Sequence, residues 1–202
     1  KSFPAKSIST IGMTADWLEY TAVFFNIAYV ILAARENIWC WPMGIIGSGL
    51  SIWLFIESKL YAESVLFSYY VVMGIYGWWA WSQGQTKEGK LEIRQIRVKT
   101  HLLILFVGYG LTTLVFYILQ TYTDAEMPLL DSFTTVFSFI ATWLVAKRIL
   151  ENWIYWICID ALTVYLYFSR ELNLYALLSL AYTFMAVYGY LQWRKDLIKQ
   201  LK

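Results

Sequence analysis

Apolar residues in this chain come in long blocks, not in the period-two alternation of a half-buried strand or the narrow stripe of a surface helix. Seven blocks can be drawn, at approximately 17–34, 38–56, 60–81, 101–120, 130–146, 152–168 and 172–192. Each is close to the about 20 residues that a helix rising ~1.5 Å per residue needs to cross about 30 Å of hydrocarbon. The pattern predicts an all-α integral membrane domain of seven transmembrane helices spanning residues 1–202. Connections between the first and second, second and third, and sixth and seventh blocks are only a few residues long, which makes those helices antiparallel neighbours. Two breaks are longer, a polar and basic one at 82–100 and a small, acidic one at 121–128. They set the fourth block apart. The opening KSFPAKSISTIG is too polar for a span and is expected at the membrane surface.

The blocks repeat. Glu36-Asn37 is followed by Trp41, the run Leu60-Tyr61-Ala62, the pair Tyr76-Gly77 and a closing Trp81; Glu151-Asn152 is followed by Trp156, Leu174-Tyr175-Ala176, Tyr188-Gly189 and Trp193. Upstream, Val23-Phe24, Ile27-Ala28 and Ala33 return as Val136-Phe137, Ile140-Ala141 and Ala146. A first three-helix repeat at 17–81 and a second at 130–193 are thus joined by a linker helix at 101–120, a 3+1+3 arrangement. Four helices between equivalent positions make the two repeats parallel, related by an axis along the membrane normal.

Composition agrees with lipid as the solvent: 59% of residues are hydrophobic and 15% charged, against about 25% charged in soluble domains. Charge then sets orientation. Arg35, the cluster Lys87, Lys90, Arg94, Arg97 and Lys99, the pair Lys147 and Arg148, and Arg194, Lys195, Lys199 and Lys202 fall on one side. Lys1, Lys6, Lys59 and Arg170 fall on the other, beside Asp124, Glu126 and Asp131. The positive-inside rule places the first side in the cytoplasm, with the N-terminus out and the C-terminus in. The net charge of +2 is therefore a topology signal and gives no reason to expect nucleic acid. No glycine-rich phosphate loop, Cys/His cluster or nucleophile elbow is present, so neither a cofactor, a metal nor an enzymatic activity is expected.

The candidate chemistry lies in the core. Asp160 sits in the middle of an apolar block, where a carboxylate costs at least about 2.5 to 3.5 kcal/mol and needs a partner or a task. Helical spacing puts Trp156, Asn152, Thr163 and Tyr167 along its face. In the first repeat, Trp41-Pro42-Met43-Gly44 opens helix two, followed by Gly47, Ser48 and Gly49. Trp41 reads as the repeat mate of Trp156, the two facing one another across the pseudo-twofold axis. Helices three and seven carry matched stripes through Glu63, Tyr70 and Trp81 and through Tyr175, Tyr182 and Trp193. Asn26 lies in mid helix one, with Phe139 as its expected counterpart. A cavity of indole and phenol faces, amides and carboxylates, with no core Lys or Arg, suits a flat cation bearing hydroxyls, since aromatic faces attract cations by about 0.5 to 2 kcal/mol each. An anionic solute is disfavoured.

The runs W-P-M-G-I-I-G at Trp41 to Gly47, L-Y-A-E-S at Leu60 to Ser64, Y-G-W-W-A-W at Tyr76 to Trp81 and W-I-C-I-D at Trp156 to Asp160 resemble the PnuC family of bacterial nicotinamide riboside transporters. The resemblance runs from about Trp17 to Arg194. It implies a SWEET-like fold in the bacterial inner membrane, a homotrimer, and facilitated diffusion of nicotinamide riboside by alternating access. Relatives that are similar in fold carry thiamine or riboflavin, and a non-transporting vitamin receptor is a further alternative. The residues expected to line the substrate site are Trp156, Asp160, Trp41, Tyr70, Glu63, Asn26, Ser48, Thr163, Tyr182 and Asn152.

Overall fold

The computed structural model describes residues 6–57, 61–83, 92–123, 125, 127–169 and 173–201. Among these described residues seven helices follow one another: α1 (Lys6–Ala34), α2 (Cys40–Glu57), α3 (Tyr61–Ser82), α4 (Val98–Tyr122), α5 (Pro128–Ala146), α6 (Asn152–Ser169) and α7 (Asn173–Gln200). Each expected block is a helix. α1 starts upstream of Trp17, within the segment expected to lie at the surface, because a helix once formed propagates through polar residues as long as no proline intervenes. Pro42 falls in the first turn of α2, and Pro128 is the first residue of α5, positions whose N–H would be unsatisfied in any case.

α1 packs on α2 and α7, α2 on α3, α3 on α5, α5 on α6, and α6 on α7, so six helices close a ring. α4 stands outside it against α5. There Gly108 lets α4 approach closely, since a Cβ at that position would come within 2.7 Å of the Phe137 ring. α4 and α5 are each long and apolar enough to cross a membrane, and most of α4 is exposed. Leu102, Phe106, Tyr109, Leu114 and Tyr117 lie open on its surface. A face this apolar is stable only against hydrocarbon or another apolar surface.

Equivalent helices of the two halves begin and end 112 positions apart: α2 and α6 at Cys40 and Asn152, closing at Glu57 and Ser169, and α3 and α7 opening at Tyr61 and Asn173. The turns obey the same shift. α1 ends when Glu36 enters the left-handed region at φ 56°, and α5 when Arg148 does so at φ 60°. In each turn the next amide reaches back to satisfy a helix carbonyl, Asn37 N–H to Leu32 at 2.9 Å and Ile149 N–H to Leu144 at 3.0 Å. A second bond runs from Glu36 N–H to Ala33 and from Arg148 N–H to Val145. This is a Schellman closure built without glycine.

At this end of the ring four tryptophans interlock. Trp41 and Trp81 meet edge to face with centroids 5.3 Å apart; Trp153 and Trp193 do the same at 5.6 Å, and Trp81 and Trp193 join the pairs at 6.0 Å. Trp81 Nε1 donates to the Val145 carbonyl at 3.2 Å, and Trp193 Nε1 to the Ala33 carbonyl at 3.0 Å, so each half ties α3 or α7 to the first helix of the other half. Gly77 lies under Trp41 and Gly189 under Trp153, where a Cβ would collide with the indole. All of these pairs stand 112 apart.

The ends of the halves differ in one respect. Residues 92–97 run as an extended strap across the second turn. Arg94 N–H donates to Arg148 O and Leu150 N–H to Arg94 O, both at 2.9 Å, while Ile93, 3% exposed, joins the core beside Leu150 and Leu197. The first turn is met instead by α7, whose Asp196 lies beside Glu36.

Candidate functional site

The 112-residue register corrects two sequence expectations. Trp41 is the counterpart of Trp153 and not of Trp156, and Asn26 is the counterpart of Ser138 and not of Phe139. Short motifs rich in Trp and Ile match at several nearby offsets, whereas the turn geometry and the paired indole hydrogen bonds admit one. Trp41 is 1% exposed and packed between Tyr29, Gly77 and Trp81 at the end of the ring, so it does not line the centre in this conformation. Asn152, 0% exposed, also belongs to that end: its Nδ2 donates to the Ile149 carbonyl at 2.7 Å and braces the α5–α6 turn. The start of α6 is two helical turns from Asp160, too far for Asn152 to share its contacts. The side chain of Glu63 lies outside the described residues.

With the register fixed, the middle of the ring acquires a simple composition. Each of its helices carries one polar side chain at an equivalent position: Asn26 on α1, Ser48 on α2, Tyr70 on α3, then Ser138 on α5, Asp160 on α6 and Tyr182 on α7. Asn26 is eight residues before the end of α1 and Ser48 eight after the start of α2, a depth of about 12 Å at ~1.5 Å per residue. That is close to the midplane of a hydrocarbon layer about 30 Å thick.

Several of these groups touch. The Asn26 amide lies against the backbone of Gly47, where a Cβ would come within 2.5 Å of its Oδ1. Glycine is needed there because any larger residue would push the amide away. Tyr70 on α3 lies beside Ser138 on α5, and Tyr69 Oη donates to the Phe139 carbonyl at 2.8 Å alongside. The Asp160 carboxyl is near enough to both Tyr70 and Tyr182 to interact electrostatically with each. Those tyrosines are counterparts on α3 and α7, so Asp160 lies within electrostatic reach of both halves. Thr163 donates to the Asp160 carbonyl at 2.8 Å, which turns its hydroxyl back onto the helix. Ser48 is buried.

Trp156 is half-buried and packs against Phe137, Ala141 and Ile159. Its positional counterpart is Gly44, but the space over Gly44 is filled by Tyr29, whose own counterpart is the small Ala141. Large and small have been exchanged between neighbouring helices, and each half still presents one aromatic side chain. Ser138 and Tyr29 were missed in the sequence. A serine in a Phe-rich helix reads as a packing residue, and a tyrosine in an aromatic chain does not stand out; only the correct register singles them out.

Two apolar cavities lie elsewhere, on the flank of α4. One of about 340 Å³ is lined by Phe116, Met127, Pro128 and Tyr165, the other, of about 290 Å³, by Leu105, Tyr109, Thr112, Phe133 and Phe137. They lack charged groups and are not part of the polar centre.

Comparison with known proteins agrees with this architecture. The protein-family model described as nicotinamide mononucleotide transporter matches residues 16–195. The chain is 27% identical over 207 residues to the nicotinamide riboside transporter PnuC of Escherichia coli (strain K12), covering 90% of this chain and 87% of that protein. It is 22% identical over 181 residues to the riboflavin/roseoflavin transporter RibM of Streptomyces davaonensis, covering 88% and 84%. A crystal structure of the vitamin B3 transporter PnuC has the same fold, with a TM-score of 0.77 at 24% identity over 96% of this chain and 87% of that one. The family match over most of the chain makes the conclusion direct: this protein belongs to the nicotinamide mononucleotide transporter family of membrane transporters.

Proposed function

We propose that the protein carries nicotinamide riboside across the bacterial inner membrane by facilitated diffusion, binding it at the polar centre of the ring. The observation that carries this reading is Asp160, a carboxyl at mid-depth within electrostatic reach of Tyr70 and Tyr182 and about one helical turn from Trp156, in a core without Lys or Arg. Nicotinamide riboside is a flat pyridinium cation joined to a ribose. Its ring matches the carboxylate and the aromatic faces, and its hydroxyls match Asn26, Ser48, Ser138 and the phenols. The relatives' names point to the same vitamin. Riboflavin, carried by RibM, is uncharged and would leave Asp160 without a counter-ion; thiamine, also an aromatic cation, satisfies the same chemistry and is the second reading.

In this reading the helices form two parallel three-helix repeats with α4 as linker, the N-terminus outside and the C-terminus in the cytoplasm. The ring of contacts and the constant 112-residue shift support the parallel repeats, and the distribution of Lys and Arg supports the orientation. Alternating access then follows from rocking one repeat against the other about the midplane site. The interlocked tryptophans close the cytoplasmic end, which makes this conformation one shut toward the cytoplasm. Assembly as a homotrimer, implied by the resemblance, would bury part of the outer apolar surface, for which the open face of α4 is the candidate.

Sealed vesicles containing only this protein test the proposal. Labelled nicotinamide riboside should equilibrate across the bilayer without an ion gradient, and unlabelled compound inside should accelerate exchange. Vesicles no more permeable than protein-free ones would reject the carrier reading.

A further inference from the structure

The two halves match closely at the tryptophan end and diverge at the centre. Indoles, glycines and carbonyl acceptors recur there pair by pair, whereas the mid-depth pairs are Asn26 with Ser138, Ser48 with Asp160, and Tyr70 with Tyr182. Of these only Ser48 and Asp160 differ in charge. Because Tyr70 and Tyr182 both interact with Asp160, the carboxyl serves both halves while being anchored to one. The corresponding positions of the first half, Ser48 and Asn26, are polar and uncharged.

Resting on the vitamin reading above, we infer that the substrate is held in a single orientation, its cationic ring toward α6 and its hydroxyl-rich end toward α1 and α2, with the Ser48/Asp160 pair as the residues that choose between two otherwise related poses. A ligand turned by half a rotation about the pseudo-axis would meet equivalent phenols. It would, however, set its cation against the Ser48 hydroxyl and leave the carboxylate facing sugar hydroxyls. No lysine or arginine in the middle of any helix compensates that mismatch. Asn26 and Ser48 can both donate and accept, as ribose hydroxyls require. The amide of Asn26 is also held in place by its contact with Gly47.

This account makes the charge transplantable. Asp160→Ser removes it, and adding Ser48→Asp returns it at the same depth in the first half. Nicotinamide riboside, and its reduced form with an uncharged dihydropyridine ring, are titrated calorimetrically into detergent-purified wild type, Asp160→Ser, Asp160→Asn and the double variant Ser48→Asp/Asp160→Ser, with tryptophan fluorescence and gel filtration reporting folding. Asp160→Ser should weaken binding of the cation by roughly ten- to a hundredfold, the range expected for one hydrogen-bonded charge. The double variant should regain at least about tenfold of that loss, and the uncharged ring should be nearly indifferent to both changes. Undiminished binding by folded Asp160→Ser or Asp160→Asn overturns the inference, as does a folded double variant that recovers nothing. Equal losses for the cation and the uncharged ring overturn it too, by reducing Asp160 to a structural role. Wild type that binds neither compound removes the vitamin reading, and this inference with it, which keeps the two failures distinct.

Discussion

The tryptophan end of the ring and its polar centre follow opposite rules. At the end, Trp41 with Trp81 and Trp153 with Trp193 repeat the same edge-to-face geometry, over Gly77 and Gly189, with the same indole-to-carbonyl bond reaching into the other half. At the centre, Asn26 faces a helix register that holds Ser138 in the other half, and Ser48 one that holds Asp160. Packing between two similar halves is satisfied best by two similar solutions. A ligand with a charged end and a hydroxyl-rich end has no such symmetry, and a site that distinguishes its ends must differ between the halves. The place where a repeat protein ceases to match itself is therefore informative about its ligand.

Variants can break this comparison at both levels. The largest effect is expected from Trp193→Ala, which removes a wholly buried indole and its bond to Ala33, at about 3 to 5 kcal/mol; Trp81→Ala should cost nearly the same, and thermal unfolding in detergent that gave very different losses would contradict the symmetry of this end. Gly189→Ala comes next, at about 1 to 3 kcal/mol, because the new methyl would stand 2.7 Å from the Trp153 ring and the indole is enclosed. Gly77→Ala should match it. Tyr69→Phe removes the 2.8 Å bond to Phe139 O at a cost of about 1 kcal/mol. That loss is specific to the α3–α5 seam, since the counterpart at the α7–α1 seam is Ala181, which has no hydroxyl to lose.

The smallest change belongs to Asp196, which lies outside the apolar core. Burial pushes its carboxyl up, but the Lys199 ammonium and the Gln192 amide, which both donate to it, outweigh this and hold it below the ordinary carboxylate range. Such a group stabilises the fold at neutral pH and loses its contribution as pH falls through the depressed value. Asp196→Asn should therefore lower the unfolding midpoint slightly near neutrality, the exposed ion pair being screened by water and salt, and should make no difference in strong acid. A loss that grew on acidification would contradict the assigned direction.

The helices and the repeat were legible in the sequence because lipid imposes long apolar blocks and because Tyr-Gly and a closing Trp recur at Tyr76 and Tyr188. The register was not. Identity paired Glu36 with Glu151, yet Glu36 is the left-handed residue that ends α1, a place taken in the other half by Arg148; Glu151 belongs to the start of α6. A conformation set by main-chain hydrogen bonds leaves no reliable mark when the residue adopting it is not glycine. The slip moved Trp41 into the centre and left Ser138 out of it, whereas Asn152 was drawn there by counting helical turns back from Asp160. Asp160, Tyr70, Tyr182, Asn26 and Ser48 were recoverable without the register, since a polar group in an apolar block is conspicuous whatever its partner.

The most direct test of a centre built for an aromatic cation is a titration of the purified protein with nicotinamide riboside, thiamine and riboflavin, read by calorimetry and tryptophan fluorescence. Nicotinamide riboside should bind at micromolar concentration or tighter, well ahead of riboflavin, and the preference should shrink in Asp160→Asn. Riboflavin bound as well as or better than the cation, or a preference untouched by Asp160→Asn in folded protein, would contradict it.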